Sequence, residues 1–330
     1  MKRLAMATIA ALATPLAPAA APHDWQPVTL PQAEQRILHS THTGRDYRIF
    51  VSQPRHAPPP SGYPVLYVLD GNALFPSLAI QAQALEARPD PTLRNSVLVV
   101  GVGYPGEALY DFKARAEDYT PDAEDRQRLP DREPPPYGGA ERFLDFLESE
   151  LKPMIAARHP VDPQRQTLFG HSYGGLFTLY ALLNRPQAFS GYVAASPSIW
   201  WYQGYIERTL TAFETRARQQ PLDARLLLTV GSAEEPAADA PLTVPRQRHM
   251  AERRMIGNAR DLAERLESTP GLEVGLRINA GANHGTNGQL SSVQALELAS
   301  SGMKPETKTE DGSVTWLGEA PGGYRFRGMR

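Results

Sequence analysis

Two kinds of hydrophobic spacing alternate along this chain. Gln35–Ser40 and Arg45–Val51 read as a hairpin about Thr43-Gly44, with apolar Tyr47, Ile49 and Val51 at every second position. Val65–Leu69 and Ser96–Val102 are apolar almost without interruption, as strands covered on both faces are. Gln166–Phe169, Gly191–Ala195, Ala224–Val230 and Leu272–Ile278 add four further strands. Between them the spacing turns helical: Pro76–Ala87, Ala140–Ala157 with Phe143, Phe146, Leu147 and Leu151 on one face, Leu176–Leu183 stopped before Pro186, and Arg248–Glu267 with Met255, Ala259, Leu262 and Leu266 in register. Buried strands alternating with helices predict an α/β fold: a mostly parallel twisted sheet, antiparallel strands at its N-terminal edge, and helices on both faces. Pro54–Pro64 is a proline-rich loop, and residues 104–137 form a long polar one, of the kind that is usually functional or unstructured.

The two ends read differently. Lys2 and Arg3 precede an apolar run, Leu4–Leu16, and then Ala19-Ala20-Ala21. This is the pattern of a secretory signal peptide cut after Ala21. Read as a membrane anchor, the run falls short of the roughly 20 apolar residues needed to span, and Pro15 and Pro18 interrupt it. A periplasmic or secreted protein without a membrane anchor is therefore expected. No internal repeat or composition break divides the rest, so one domain is expected over residues 28–299. Residues 300–330 are rich in Gly, Glu, Thr and Lys, with weak strand signals at Ser313–Leu317 and Tyr324–Arg327, and read as an edge appendage or a partly disordered tail.

Composition narrows the chemistry. The 330 residues contain no cysteine, which removes disulfides, thiolate metal sites, lipid attachment and thiol nucleophiles together. Net charge is −2, against a nucleic-acid partner; loss of Lys2 and Arg3 with the leader would make it −4. The 31 prolines are about twice an ordinary share and gather in loops. No H-E-x-x-H or comparable ligand cluster is present, so a metallohydrolase is disfavoured and no cofactor is expected.

Gly170-His171-Ser172-Tyr173-Gly174 is a G-x-S-x-G placed between a predicted strand and a predicted helix. A serine needs a base to become nucleophilic, and a sharp strand-to-helix turn lifts it clear of the sheet, small residues at 170 and 174 relieving the crowding. The Tyr173 N–H then points at an oxyanion. In this arrangement acid and base follow the serine in that order. Two histidines follow Ser172. His249 lies among Arg246, Arg248 and Arg253 and reads as a solvated face. His284 lies in a loop past the last strand, where a base belongs. The acid is expected after Leu226–Val230: Glu234 first, with Glu235, Asp239 or no acid at all as alternatives. A second oxyanion donor is expected from Leu69-Asp70-Gly71-Asn72, at the Asn72 N–H first and Gly71 next.

With those residues in place, Leu69-Asp70-Gly71-Asn72, Val102-Gly103-Tyr104-Pro105, Arg115-Ala116-Glu117-Asp118-Tyr119-Thr120-Pro121, Gly138-Gly139-Ala140 with Phe143, the Ser172 elbow and Ser196–Trp201 together resemble the esterase-D-like α/β-hydrolases. Within them the chain looks most like the periplasmic enterobactin/salmochelin (trilactone siderophore) esterases, over about residues 28–299. The resemblance implies a Ser–His pair doing the chemistry (Ser172 and His284), an arginine meeting the anionic catecholate (Arg115), and a variable acidic partner. A small-molecule ester, a ferric siderophore among the candidates, is the partner it implies.

The residues also carry other readings. Segment 111–137 holds five basic and eight acidic residues, so it does not favour anions overall, and Arg115 could equally pair with Asp118. Trp200, Trp201 and Tyr173 could line an aromatic wall or be ordinary packing. A broad-specificity secreted carboxylesterase and a non-catalytic binding protein of the same fold are the competing functions.

Overall fold

The computed structural model describes residues 25, 27–89, 96–122, 136–236 and 241–300. The leader, the tail beyond Ser300, Asp239 and the basic residues Arg126, Arg128 and Arg132 lie outside them. Eight strands form one sheet in the order β1-β2-β4-β3-β5-β6-β7-β8. They are β1 (Ala33–His39), β2 (Asp46–Ser52), β3 (Tyr63–Leu69), β4 (Leu98–Gly103), β5 (Val161–His171), β6 (Gly191–Ala195), β7 (Ala224–Gly231) and β8 (Leu272–Asn279). The expected hairpin is there: β1 pairs antiparallel with β2, and β2 with β4, while every later pair is parallel. The chain turns at Gly44, whose φ of 67° suits a residue without Cβ.

Helices cover both faces: α1 (Gly71–Glu86), α2 (Phe112–Asp118), α3 (Ala140–Phe146), α4 (Lys152–Arg158), α5 (Tyr173–Asn184), α6 (Tyr205–Gln219), α7 (Pro245–Arg253), α8 (Met255–Leu266) and α9 (His284–Ser300). The alternation within each strand decides which helix it meets. Leu66, Val68, Phe169 and Val193 pack on Leu74, Phe75 and Leu78 of α1 and on Leu296 and Leu298 of α9. Val65, Tyr67, Leu69 and Leu168 point the other way, into a core shared with Phe143, Phe146, Phe177, Phe213 and Leu262. Each such buried side chain contributes about 1.5–3 kcal/mol relative to exposure. None of the described helices is long and apolar enough to cross a membrane.

Several boundaries differ from the sequence expectation. α1 begins at Gly71, not Pro76, because one left-handed residue, Asp70 (φ 52°), turns β3 straight into the helix. The stretch expected as one helix from Ala140 contains a π-helical turn, Leu147–Leu151, between α3 and α4. The amphipathic run from Arg248 is broken at Arg254 (φ 42°) into α7 and α8. The loop 104–137 contains α2, and α6 and α9 are additional. His284 is therefore not on a loop; it is the first residue of a 17-residue helix.

Candidate active site

The site is built at the carboxyl ends of β3, β5, β6, β7 and β8. β5 ends at His171, and Ser172 makes the turn with φ 61° and ψ −116°. Such a conformation in a non-glycine residue carries about 1–3 kcal/mol of strain. Hydrogen bonds hold it: the Ser172 N–H donates to Ala195 O (2.9 Å), and its carbonyl accepts from Leu176 N (3.0 Å) and Ser198 N (3.2 Å). The crowding falls on Gly170, as the motif suggests, but on Gly175 rather than Gly174. A Cβ on Gly170 would collide with the Gly174 carbonyl, and one on Gly175 would lie 2.8 Å from Ala195 O, whereas one on Gly174 would make an ordinary 3.6 Å contact with Leu69.

His284 Nε2 lies 3.0 Å from Ser172 Oγ, and its Nδ1 lies 2.7 Å from Glu234 Oε2. Glu234 is buried, and its other oxygen accepts from Gly231 N (2.7 Å) and Ser196 Oγ (2.5 Å). Burial on its own would raise this carboxyl. The hydrogen bonds from His284 and Ser196, the neighbouring imidazole charge and the Gly231 N–H outweigh it and hold the group below the usual carboxylate range. Glu235, the alternative acid, faces away: its Oε2 accepts from the N–H groups of Ile256 (2.9 Å) and Gly257 (3.0 Å) at the start of α8.

Two groups that the sequence reading passed over hold this line. Asn287, fully buried on α9, donates to Ser196 Oγ (2.8 Å) and accepts from Asn279 Nδ2 (2.6 Å), and Asn279 Oδ1 in turn accepts from Gln294 Nε2 (2.9 Å). His171 packs its ring 4.6 Å from that of His284 and lies 2.8 Å from the His284 carbonyl through Nε2. A carbonyl only accepts, so Nε2 carries the proton. Burial first, and then the His284 charge, push the His171 imidazole down to about 3, so it is neutral. Gly288 makes room for it, since a Cβ there would stand 3.0 Å from the ring.

Asn72 and Tyr173 are the second residue of α1 and the first of α5, where backbone N–H groups lack intrahelical partners. These helices start from the neighbouring strands β3 and β5, which brings the two N-termini together. The Asn72 side chain is tied to Tyr104 N and O (2.9 Å each) and to Ala108 O (3.1 Å).

Arg115 lies beside the site, but not against Asp118. Its Nε and Nη2 donate to both Asp70 oxygens at 2.9 Å, and Nη2 also reaches His171 O at 3.4 Å. The guanidinium is buried near the rings of Tyr110, Tyr119 and Tyr173. Its charge is balanced by Asp70, which outweighs the opposing effect of burial. Asp118 instead accepts from Tyr47 OH (2.9 Å) and Tyr104 OH (3.1 Å).

The aromatic wall is also rearranged. Trp201 is fully buried and cannot touch a ligand. Its edge backs Tyr137 (5.7 Å between ring centres), whose hydroxyl lies 3.4 Å from that of Tyr173. Trp200 is half-buried, 6.4 Å from Tyr173.

An elbow serine facing a histidine at the carboxyl edge of such a sheet defines an α/β-hydrolase, and the chain is a carboxylic ester hydrolase of the serine-hydrolase type. It belongs to the family whose model, described as "Putative esterase", matches residues 40–268. The ferri-bacillibactin esterase BesA of Bacillus subtilis is 39% identical over 242 residues, 72% of this chain and 78% of that protein. The siderophore triacetylfusarinine C esterase of Aspergillus fumigatus is 39% identical over 252 residues, 73% and 83% of the two chains. Among solved structures, the BES protein from Bacillus cereus superposes with a TM-score of 0.73 at 33% identity, over 84% of this chain and all of that one.

Proposed function

We propose that this esterase hydrolyses the ester bonds of a siderophore, a catecholate trilactone of the enterobactin kind, through an acyl-enzyme, and thereby frees iron. The observation that carries the chemistry is the unbroken line of 3.0 and 2.7 Å from Ser172 Oγ through His284 to Glu234. His284 takes the Ser172 proton as Oγ attacks the ester carbonyl. The N–H groups of Tyr173 and Asn72 receive the developing oxyanion, which typically supplies several kcal/mol. Glu234 keeps the Nδ1 proton in place and stabilises the imidazolium. His284 then protonates the leaving alcohol, and water, activated the same way, releases the acyl group. Two relatives named for siderophore esters, each about 39% identical, support the substrate class, and the rings of Tyr137, Tyr173 and Trp200 suit a planar acyl group.

The reaction is tested with ferric and iron-free trilactone beside 4-nitrophenyl esters. A kcat/KM for the simple esters far above that for the trilactone would reduce the reading to a broad carboxylesterase. Fluorophosphonate labelling of Ser172, lost in His284→Ala, is expected; an unlabelled Ser172 would leave a binding protein. Residues 1–21 support an exported enzyme whose catalytic domain spans 28–299. The chain recovered from the periplasm or medium should then begin at Pro22, and an intact Met1 on the exported protein would contradict it.

A further inference from the structure

One flank of the elbow carries apolar side chains in the open. Leu109 and Phe112 are 62% and 73% exposed, and half-buried Tyr110 stands between them. A single exposed apolar residue means little, but these three share the short stretch that leads from β4 into α2. Asp111 caps α2 by accepting from Ala114 N (2.9 Å), which sets Phe112 as the first helical residue. The rings of Tyr110 and Phe112 lie 5.9 Å apart at 32° and form one aromatic surface. That surface is fastened to the reaction centre at two points. Asn72, the second oxyanion donor of the proposed reaction, donates through its side-chain amide to Tyr104 O (2.9 Å) and Ala108 O (3.1 Å). The Arg115 guanidinium carbon lies 5.8 Å from the ring centres of both Tyr110 and Tyr173, so a cation joins the surface to the residue after Ser172.

The sheet order sets the spacing. In β4-β3-β5-β6, Phe112 lies beyond β4 and Trp200 beyond β6, on opposite sides of Ser172 at the end of β5. The two loops start three strand spacings apart, about 14 Å. A ring stacked about 5 Å from one wall leaves the other uncovered, whereas a substrate with two aromatic groups covers both. We propose that Tyr110 and Phe112 form a second aryl subsite, so that two aromatic arms are held at once across the scissile ester, one on Trp200 and Tyr173 and its neighbour on Tyr110 and Phe112. The inference rests on the siderophore reading, in which each ester of a catecholate trilactone joins two units that each bear an aryl amide. Holding both arms orients the carbonyl between them toward Ser172, and a simple ester occupies one wall at most.

The test is calorimetric and needs no turnover. The probe is a two-unit analogue of dihydroxybenzoyl-serine in which an amide replaces the scissile ester, compared with the two analogues in which either arm is replaced by acetyl. Wild type should bind the two-armed probe about tenfold more tightly than either single-armed one. Phe112→Ala should bring that preference to about twofold or less, and Phe112→Trp, which keeps a ring there, should retain it. Phe112 is exposed, so both variants should melt as wild type does. Equal binding of two-armed and single-armed probes by wild type, or a tenfold preference that survives Phe112→Ala, would overturn the subsite. A preference for two arms in an enzyme that cleaves no trilactone would overturn the substrate reading and leave the subsite standing.

Discussion

His171 sets up a pH dependence that can be worked from its surroundings. In the folded protein its imidazole is pushed down to about 3 by burial and by His284, while in the unfolded chain it titrates near its ordinary 6.5. Between those values the unfolded state binds the extra proton, so this residue's contribution to stability is complete above pH 6.5 and is lost as pH falls. By linkage the loss from pH 7.5 to pH 5.5 is about 1.4 kcal/mol, and to pH 4.5 about 2.7 kcal/mol. Both figures are governed by the unfolded value, so any folded value well below 4 gives nearly the same answer. His171→Gln removes the titration while keeping an N–H able to reach the His284 carbonyl. Urea unfolding of both proteins at pH 4.5, 5.5 and 7.5 isolates the effect, because other groups cancel in the difference. The variant should be the less stable protein at pH 7.5 by about 1–2 kcal/mol and should overtake wild type near pH 5. A gap that does not change between pH 7.5 and 4.5 would refute the neutral assignment of the half-buried His171.

Other consequences are simpler to read. Glu234→Gln keeps the shape but not the charge beside His284, so kcat should fall by about 10³–10⁴-fold with the fold intact by circular dichroism. Gly170→Ala should fail to give folded protein while Gly174→Ala does, since only the first puts a Cβ into a backbone carbonyl; melting temperatures decide it. Trp201→Ala should cost about 3–5 kcal/mol of stability through the cavity it leaves, whereas half-buried Trp200→Ala should cost clearly less and raise KM instead.

How much the sequence disclosed follows from the range of the forces involved. The parallel strands were visible because burial on both faces requires unbroken apolar runs, and β6 was legible to the residue. That Ser172, His284 and Glu234 would lie in one line could be anticipated because a strand-to-helix turn and the order of the later strands restrict where partners can stand. α9 was hidden because its inner face is partly polar: Asn287, Ser291 and Gln294 point into the protein and hydrogen-bond there, so the apolar stripe that marks a helix is missing. α6 is of the opposite kind, since Ile206, Leu210, Phe213 and Ala217 form an ordinary apolar stripe at helical spacing. Arg115 could not be paired from sequence, because Asp70 and Asp118 are both nearby acids and only the fold brings Asp70 within 2.9 Å.

Three of the strands that build the site end in the same unfavourable way. Asp70 after β3, Ser172 after β5 and Ser196 after β6 all have positive φ, 52°, 61° and 41°, in residues that carry a Cβ. Glycine would relax each turn, so the side chains must compensate by what they touch: Asp70 holds Arg115, Ser172 meets His284, and Ser196 bonds Glu234. Ser196 lets the two contributions be separated. Ser196→Ala keeps the strain and leaves the buried Glu234 and Asn287 each short of a partner, at about 1–3 kcal/mol per group. Ser196→Gly loses the same bonds but relieves the strained backbone, worth about 1–3 kcal/mol. Both should slow turnover alike, because the acid is loosened equally, yet the glycine variant should unfold at higher denaturant than the alanine one. If alanine proves as stable as glycine, the positive φ at Ser196 stores no strain and the hydroxyl alone explains the residue.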